Sequence, residues 1–167
     1  EVRGKKLGIV GYGNIGKQLS ILAEALGMQV YYYDVEDKLA LGNATRVVEL
    51  SELLALSDVV TLHIDDNPAN INFIGAEEIS QMKNGAYLVN LSRGFVLDVV
   101  ALKEALESGK LAGAAVDVYP KEPSANGHFY TELRGLPNVI LTPHVGGSTE
   151  EAQKDIADFV PNKMMAY

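Results

Sequence analysis

Arg93, Glu122 and His144 are the side chains whose types could carry a reaction together. A guanidinium holds a carboxylate through two parallel charge-assisted hydrogen bonds, an orientation that a lysine ammonium does not fix. An imidazole exchanges a proton near neutral pH, so His144 can take one from a hydroxyl as hydride leaves the same carbon, and return it in the reverse direction. Glu122, on the loop YPKEP, would orient that ring. The chemistry described is oxidation of a 2-hydroxy acid or reduction of a 2-oxo acid. Each residue also has a plainer role, as a surface ion pair (Arg93), loop surface (Glu122) or a turn cap (His144). The coincidence of the three beside a dinucleotide turn favours the chemical one.

That turn is GIVGYGNIG, with Gly11, Gly13 and Gly16 spaced G-x-G-x-x-G. The pattern is weak in isolation, but here it follows a predicted strand, opens a predicted helix, and is succeeded by Asp34 at the end of the next strand. Gly11 permits the tight turn, Gly13 lets the backbone approach a pyrophosphate, and Gly16 allows helix to close on strand. Amides near Asn14 and Ile15 then donate to phosphate oxygens. Asp34 accepts from the adenosine ribose hydroxyls and repels a 2′-phosphate, which favours NAD over NADP. The plainer role for Asp34, a solvated turn carboxylate, is the one assigned to Glu36 and Asp37. His63 reads as structural, touching the cofactor at most, and His128 as exposed loop.

The elements that must position these groups alternate. Residues 6–11, 29–33, 58–63, 86–91, 112–118 and 138–142 read as short apolar strands. Between them, 14–27, 50–56, 75–82 and 99–108 read as helices, the first with Ile15, Leu19, Leu22, Ala23 and Leu26 on one apolar face. Ser148 and Glu151 stand at capping-box spacing and open a last helix, which Pro161 should end or kink near Val160. Buried strands alternating with helices imply a doubly wound, three-layer α/β domain with a parallel sheet covered on both faces. Ligands of such sheets bind beyond the carboxyl ends of the strands. His63, Ser92, Arg93, Asp117, Glu122 and His144 all fall on that rim.

Length and composition agree. The chain's 167 residues suit one domain, and 47% apolar with 22% charged residues is ordinary for a folded globular protein. A net charge of −8 disfavours nucleic acid, no apolar run is long enough for a membrane span, and the absence of cysteine fits a cytoplasmic setting.

GYGNIG with Asp34, LVNLSRG, AAVDVYPKEP and LTPHVGGST, in that order, resemble the NAD-binding Rossmann domain of the D-2-hydroxyacid dehydrogenases over residues 3–158, and GGSTEEAQ resembles the phosphoglycerate branch of that family. The resemblance implies NAD as cofactor and a 2-hydroxy acid as substrate. It makes Arg93 the substrate-binding arginine, His144 the acid/base and Glu122 its partner. It also implies that Asn14 and Ile15 meet the pyrophosphate, Asp34 the ribose, and Leu91, Ser92 and Arg93 the nicotinamide side. Asp117 would hold the carboxamide, and Gly146 and Gly147 would close the pocket. In the family this domain is inserted into a second, discontinuous one that completes the substrate cleft. Residues 1–167 are thus expected to be the cofactor domain alone, with the substrate and regulatory domains absent, cofactor binding retained and turnover very weak.

Several positions depart from the family pattern. Ile64 and Asp65 follow His63 where an apolar residue and proline are usual, NPANINFIG replaces a threonine-rich stretch, Phe95 stands for a small residue, and Pro161 interrupts the returning helix. These motivate an alternative: a divergent or redesigned scaffold that uses Phe95, Ile71 and Phe73 to bind a protein or a second copy. It expects a contiguous exposed apolar patch at the substrate face.

Overall fold

Successive side chains of a strand point to opposite faces, and for that reason β1 (Lys6–Val10) packs against a different helix layer on each side. Leu7 and Ile9 join the apolar cluster under α1 (Asn14–Ala25), whereas Gly8 lies against Leu53 and Ser57 of the α2 (Leu50–Leu56) side and Val10 joins the larger cluster there. The structure, a computed structural model, describes residues 1–123, 127 and 129–165; His128 lies outside them. The remaining elements are β2 (Gln29–Tyr33), β3 (Thr45–Arg46), β4 (Val59–Leu62), α3 (Ala76–Gln81), β5 (Ala86–Asn90), α4 (Val99–Glu107), β6 (Leu111–Val116), β7 (Val139–Leu141) and α5 (Glu150–Met165).

Among the described residues seven strands form one sheet in the order β3-β2-β1-β4-β5-β6-β7, with every neighbouring pair parallel. This is the doubly wound arrangement that the sequence implies, with the switch of direction between β1 and β4. Register carries the consequence for function. Tyr33, Val10, Leu62, Asn90, Val116 and Leu141 pair in one row across six strands. The residues that leave the sheet beyond that row, Asp34, Gly11, His63, Leu91, Asp117 and Thr142, therefore line a single rim.

α1 turns only part of its expected apolar face inward: Ala23 is buried and Leu19 packs against the core. Its buried residues are Gly16, Ser20 and Ala23, while Ile15, Leu22 and Leu26 are exposed. Small side chains win here because the helix sits so close to the glycine turn that a methyl on Gly16 would collide with the Gly11 carbonyl. β3 escapes the hydrophobic pattern, since it is two exposed polar residues held by pairing to Tyr31 and Tyr32.

α5 begins one residue later than its capping pattern suggests. Thr149 Oγ1 accepts the Ala152 N–H at 3.1 Å, whereas the Ser148 hydroxyl donates to the Val145 carbonyl. The helix also continues through Pro161 instead of ending at Val160. The ring removes one backbone donor; because α5 has no buried residue, water can serve the carbonyl this frees. Among the described residues no helix is long and apolar enough to cross a membrane.

At the rim opposite the site, Asp58 ties three elements together. Its carboxylate accepts the Lys6 N–H at 2.8 Å and the Lys83 ammonium at 2.8 Å. The Lys6 hydrogen bond, then that of Lys83, hold its carboxyl below the usual carboxylate range against the opposing effect of burial. A depressed folded value means the stabilisation is complete above the unfolded pKa of about 3.9 and is lost as pH falls through the folded one. Asp58→Asn should therefore cost about 1–3 kcal/mol at pH 7, and the difference from the parent should shrink towards pH 2 in urea unfolding.

Candidate functional site

The glycine turn separates two structural glycines from one that is open. Gly11 has φ +93°, and a methyl there would strike the His63 carbonyl; Gly16 is closed off by the Gly11 carbonyl. Gly13 has φ −77° and an added Cβ would meet nothing within 4 Å. It is the N-cap of α1, no side chain caps that end, and the first turn carries no acidic residue. Asn14 and Ile15 are exposed in that turn. A helix start that presents amides to an open cradle suits an anion, so these residues fit the pyrophosphate of a dinucleotide.

Asp34 stands at the mouth of the same cleft, which Gly11, Gly13, Tyr33, Lys38, His63 and Phe73 help to line. Its Oδ2 accepts the Tyr12 N–H at 2.7 Å and its Oδ1 the Glu36 N–H at 2.9 Å, so the carboxylate is aimed by backbone on both sides. Glu36 and Asp37, read as solvated carboxylates, pair with Lys38 and Arg46. His63 is mostly buried, and its Nε2 lies 3.0 Å from the Thr61 hydroxyl. Burial pushes its pKa down.

The second half of the rim is built around a residue that the strand pattern hides. Asn90, fully buried at the end of β5, accepts the Ser92 N–H at 3.1 Å and the Ser92 hydroxyl at 3.0 Å, and donates to the Arg93 carbonyl at 3.0 Å. It bends the chain so that the guanidinium of Arg93 leaves the sheet edge. The only sequence signal was an amide closing the apolar run AYLVN. A methyl on Gly94 would collide with the backbone of Tyr119, so this turn abuts the loop that carries Glu122.

His144 Nδ1 lies 2.8 Å from Glu122 Oε2 and 2.9 Å from Oε1. Burial opposes ionisation of Glu122, but hydrogen bonds from His144 and from the Tyr119 N–H prevail and hold its carboxyl below the usual range. His144 takes φ +52°, an uncommon conformation for a non-glycine residue. It is held there by Asp117, whose Oδ1 accepts the His144 N–H at 3.0 Å and the Thr142 hydroxyl. Tyr119 reinforces the same junction by donating to the Thr142 carbonyl at 2.9 Å. Neither Tyr119 nor this use of Asp117 has a local signal in the sequence. Arg93, Glu122 and His144 border one small cavity with Phe95 and Tyr119. Ser92 is buried and Leu91 exposed, neither among the residues that line it, and Gly146 and Gly147 follow His144 on an exposed turn outside the walls of either cavity.

The apolar residues that suggested a protein-binding face differ in exposure. Phe95 and Phe73 are half-buried against the main core, and of the three only Ile71 is exposed.

Residues 1–146 match the family described as D-isomer specific 2-hydroxyacid dehydrogenase, NAD binding domain, and the chain belongs to it. It is an NAD-binding Rossmann domain of oxidoreductase type. Within that family, D-3-phosphoglycerate dehydrogenase of Escherichia coli K12 is 58% identical over 168 residues, covering 100% of this chain and 41% of the relative. Among solved structures, D-mandelate dehydrogenase of Rhodotorula graminis superposes with a TM-score of 0.87 at 36% identity, over 98% of this chain and 48% of that one. The NAD-dependent formate dehydrogenase of Staphylococcus aureus in complex with NAD gives 0.85 at 33% identity, over 99% and 49%. The chain thus spans about two fifths of the length of the curated relative.

Gly13 offers a clean separation of binding from folding. Gly13→Val should leave the thermal midpoint within a few degrees of the parent, because its φ is ordinary and its surroundings open. It should weaken NADH at least tenfold in calorimetric titration by filling the phosphate approach, a loss of about 1.4 kcal/mol or more.

Proposed function

We propose that this domain serves a D-3-phosphoglycerate dehydrogenase-like enzyme that oxidises a D-2-hydroxy acid to the 2-oxo acid. The observation that carries the proposal is the grouping of Arg93, Glu122 and His144 on one cavity at the rim that also bears the glycine turn. NAD, when bound, supplies the hydride acceptor. Arg93 receives the substrate carboxylate through paired N–H donors and fixes the carbon that bears the hydroxyl. With Nδ1 engaged by Glu122, His144 has Nε2 left to take the hydroxyl proton, and Glu122 keeps the ring from turning. Identity of 58% to a protein named D-3-phosphoglycerate dehydrogenase supports a phosphorylated substrate.

Arg93 and His144 remain 49% and 41% exposed at their side chains. Reacting groups open to water lose much of the electrostatic advantage of a closed site. Turnover therefore needs a cover over this rim, and the 167-residue unit alone should turn over very slowly.

Arg93 also has an internal competitor. Asp66 Oδ2 lies 3.7 Å from Arg93 Nε, where a substrate carboxylate would be expected to approach. In the protein at its full natural length, Arg93→Ala should lower kcat/KM for D-3-phosphoglycerate by about 100-fold, or ~3 kcal/mol, with NADH affinity unchanged. Asp66→Asn should lower KM by about threefold, the worth of an exposed pair. Parental kcat/KM in Arg93→Ala would refute the assignment.

A further inference from the structure

Between Asp34 and β3 the chain runs through residues 35–44 with neither helix nor strand, and most of this stretch is exposed. It nevertheless borders the cofactor cleft, where Val35, Glu36 and Lys38 stand beside Asp34 and Gly13. Something beneath it must hold it in place, since an exposed segment without backbone pairing loses little by moving.

Two buried phenols lie underneath. Tyr12, in the centre of the glycine turn, and Tyr32, on β2, are 0% and 1% exposed, with rings stacked at 3.7 Å between centroids. Stacking accounts for the rings but not for the hydroxyls, and a buried hydroxyl needs partners. Both partners are on the segment: Tyr32 donates to the Lys38 carbonyl at 2.6 Å, and the Leu41 N–H donates to the Tyr12 oxygen at 3.2 Å.

Hydrogen-bond direction then links the segment to α1. The Ser20 hydroxyl donates to the Lys17 carbonyl at 2.7 Å, so at 2.8 Å its oxygen accepts from Tyr12, which leaves the Tyr12 oxygen to accept from Leu41. One chain therefore runs Leu41 N–H, Tyr12 O–H, Ser20 O–H, Lys17 C=O. It ends in the helix whose first turn faces the pyrophosphate. The Tyr12 N–H meanwhile aims Asp34. A single residue thus connects the ribose carboxylate, the phosphate helix and the wall beyond them.

We infer that Tyr12 and Tyr32 are positioning residues for the adenosine half of the cofactor: their hydroxyls lock the 35–41 segment in register with Asp34 and the α1 N-terminus, although neither phenol faces the cleft. Ligands that carry the adenosine ribose depend on the pair, and the nicotinamide half does not. The inference rests on NAD binding in this cleft.

The test compares ADP-ribose with nicotinamide mononucleotide by calorimetry on the parent, Tyr12→Phe and Tyr32→Phe, at a temperature where all are folded. Tyr12→Phe should weaken ADP-ribose about tenfold, leave nicotinamide mononucleotide unchanged, and speed amide exchange at residues 38–41 selectively. Tyr32→Phe should act in the same direction through Lys38, and it carries the test if Tyr12→Phe does not fold. A purely structural role would shift the thermal midpoint without changing the ratio of the two affinities. Folded variants with the parental ratio would overturn the inference while leaving cofactor binding intact; a parent that does not bind ADP-ribose would overturn both.

Discussion

The rest of the structure depends on the contact between α1 and the turn that precedes it. Gly16 rests on the carbonyl of Gly11 so closely that no side chain fits between them, and Gly11 in turn lies against the His63 backbone. These close approaches at the switch point bring the start of a helix, the end of β1 and the end of β4 into one small volume. A helix start carries unpaired amides and partial positive charge. Placed beside the Asp34 carboxylate, it makes a cleft with a cationic floor and an anionic lip. That combination suits a pyrophosphate joined to an unphosphorylated ribose.

The second centre is separate in sequence but not in register. The row from Tyr33 to Leu141 makes Leu91, Asp117 and Thr142 leave the sheet at the same level as Gly11, with Arg93 and His144 two residues further along their turns. Polar side chains at the strand ends then fix the turns. Asn90 shapes the turn at Arg93, while Asp117 and Tyr119 hold the backbone at His144, where a positive φ turns the imidazole towards Glu122. The Arg93 guanidinium and the His144–Glu122 pair thus follow different strands of one sheet and border one cavity.

Much of this was legible in the sequence, because apolar runs and glycine spacing report burial and close approach directly. The strands that pair at the centre of the sheet, the turn glycines and the rim positions of Arg93, Glu122 and His144 all follow from those signals. What was not legible depended on neighbours far along the chain. α1 keeps Ala23 and Leu19 of its expected face against the core, but buries Gly16 and Ser20 where Ile15, Leu22 and Leu26 were expected, because the turn lies beneath it. β3 exists only through its partners on β2. Asn90 and Tyr119 look ordinary until their partners are in place. The half-burial of Phe95 against the core, beside the Arg93 cavity, likewise depends on neighbours far along the chain.

The Gly11 to Gly16 turn and Asp34 together fit an NAD site in which the carboxylate charge would set the preference. Calorimetric titration of the folded protein with NADH and NADPH, for the parent and for Asp34→Arg, tests it most directly. The account predicts saturable NADH binding at micromolar to sub-millimolar concentration, markedly weaker NADPH binding, and loss of the NADH preference in Asp34→Arg. Absence of NADH binding in the folded parent, or an unaltered preference in Asp34→Arg, would contradict it.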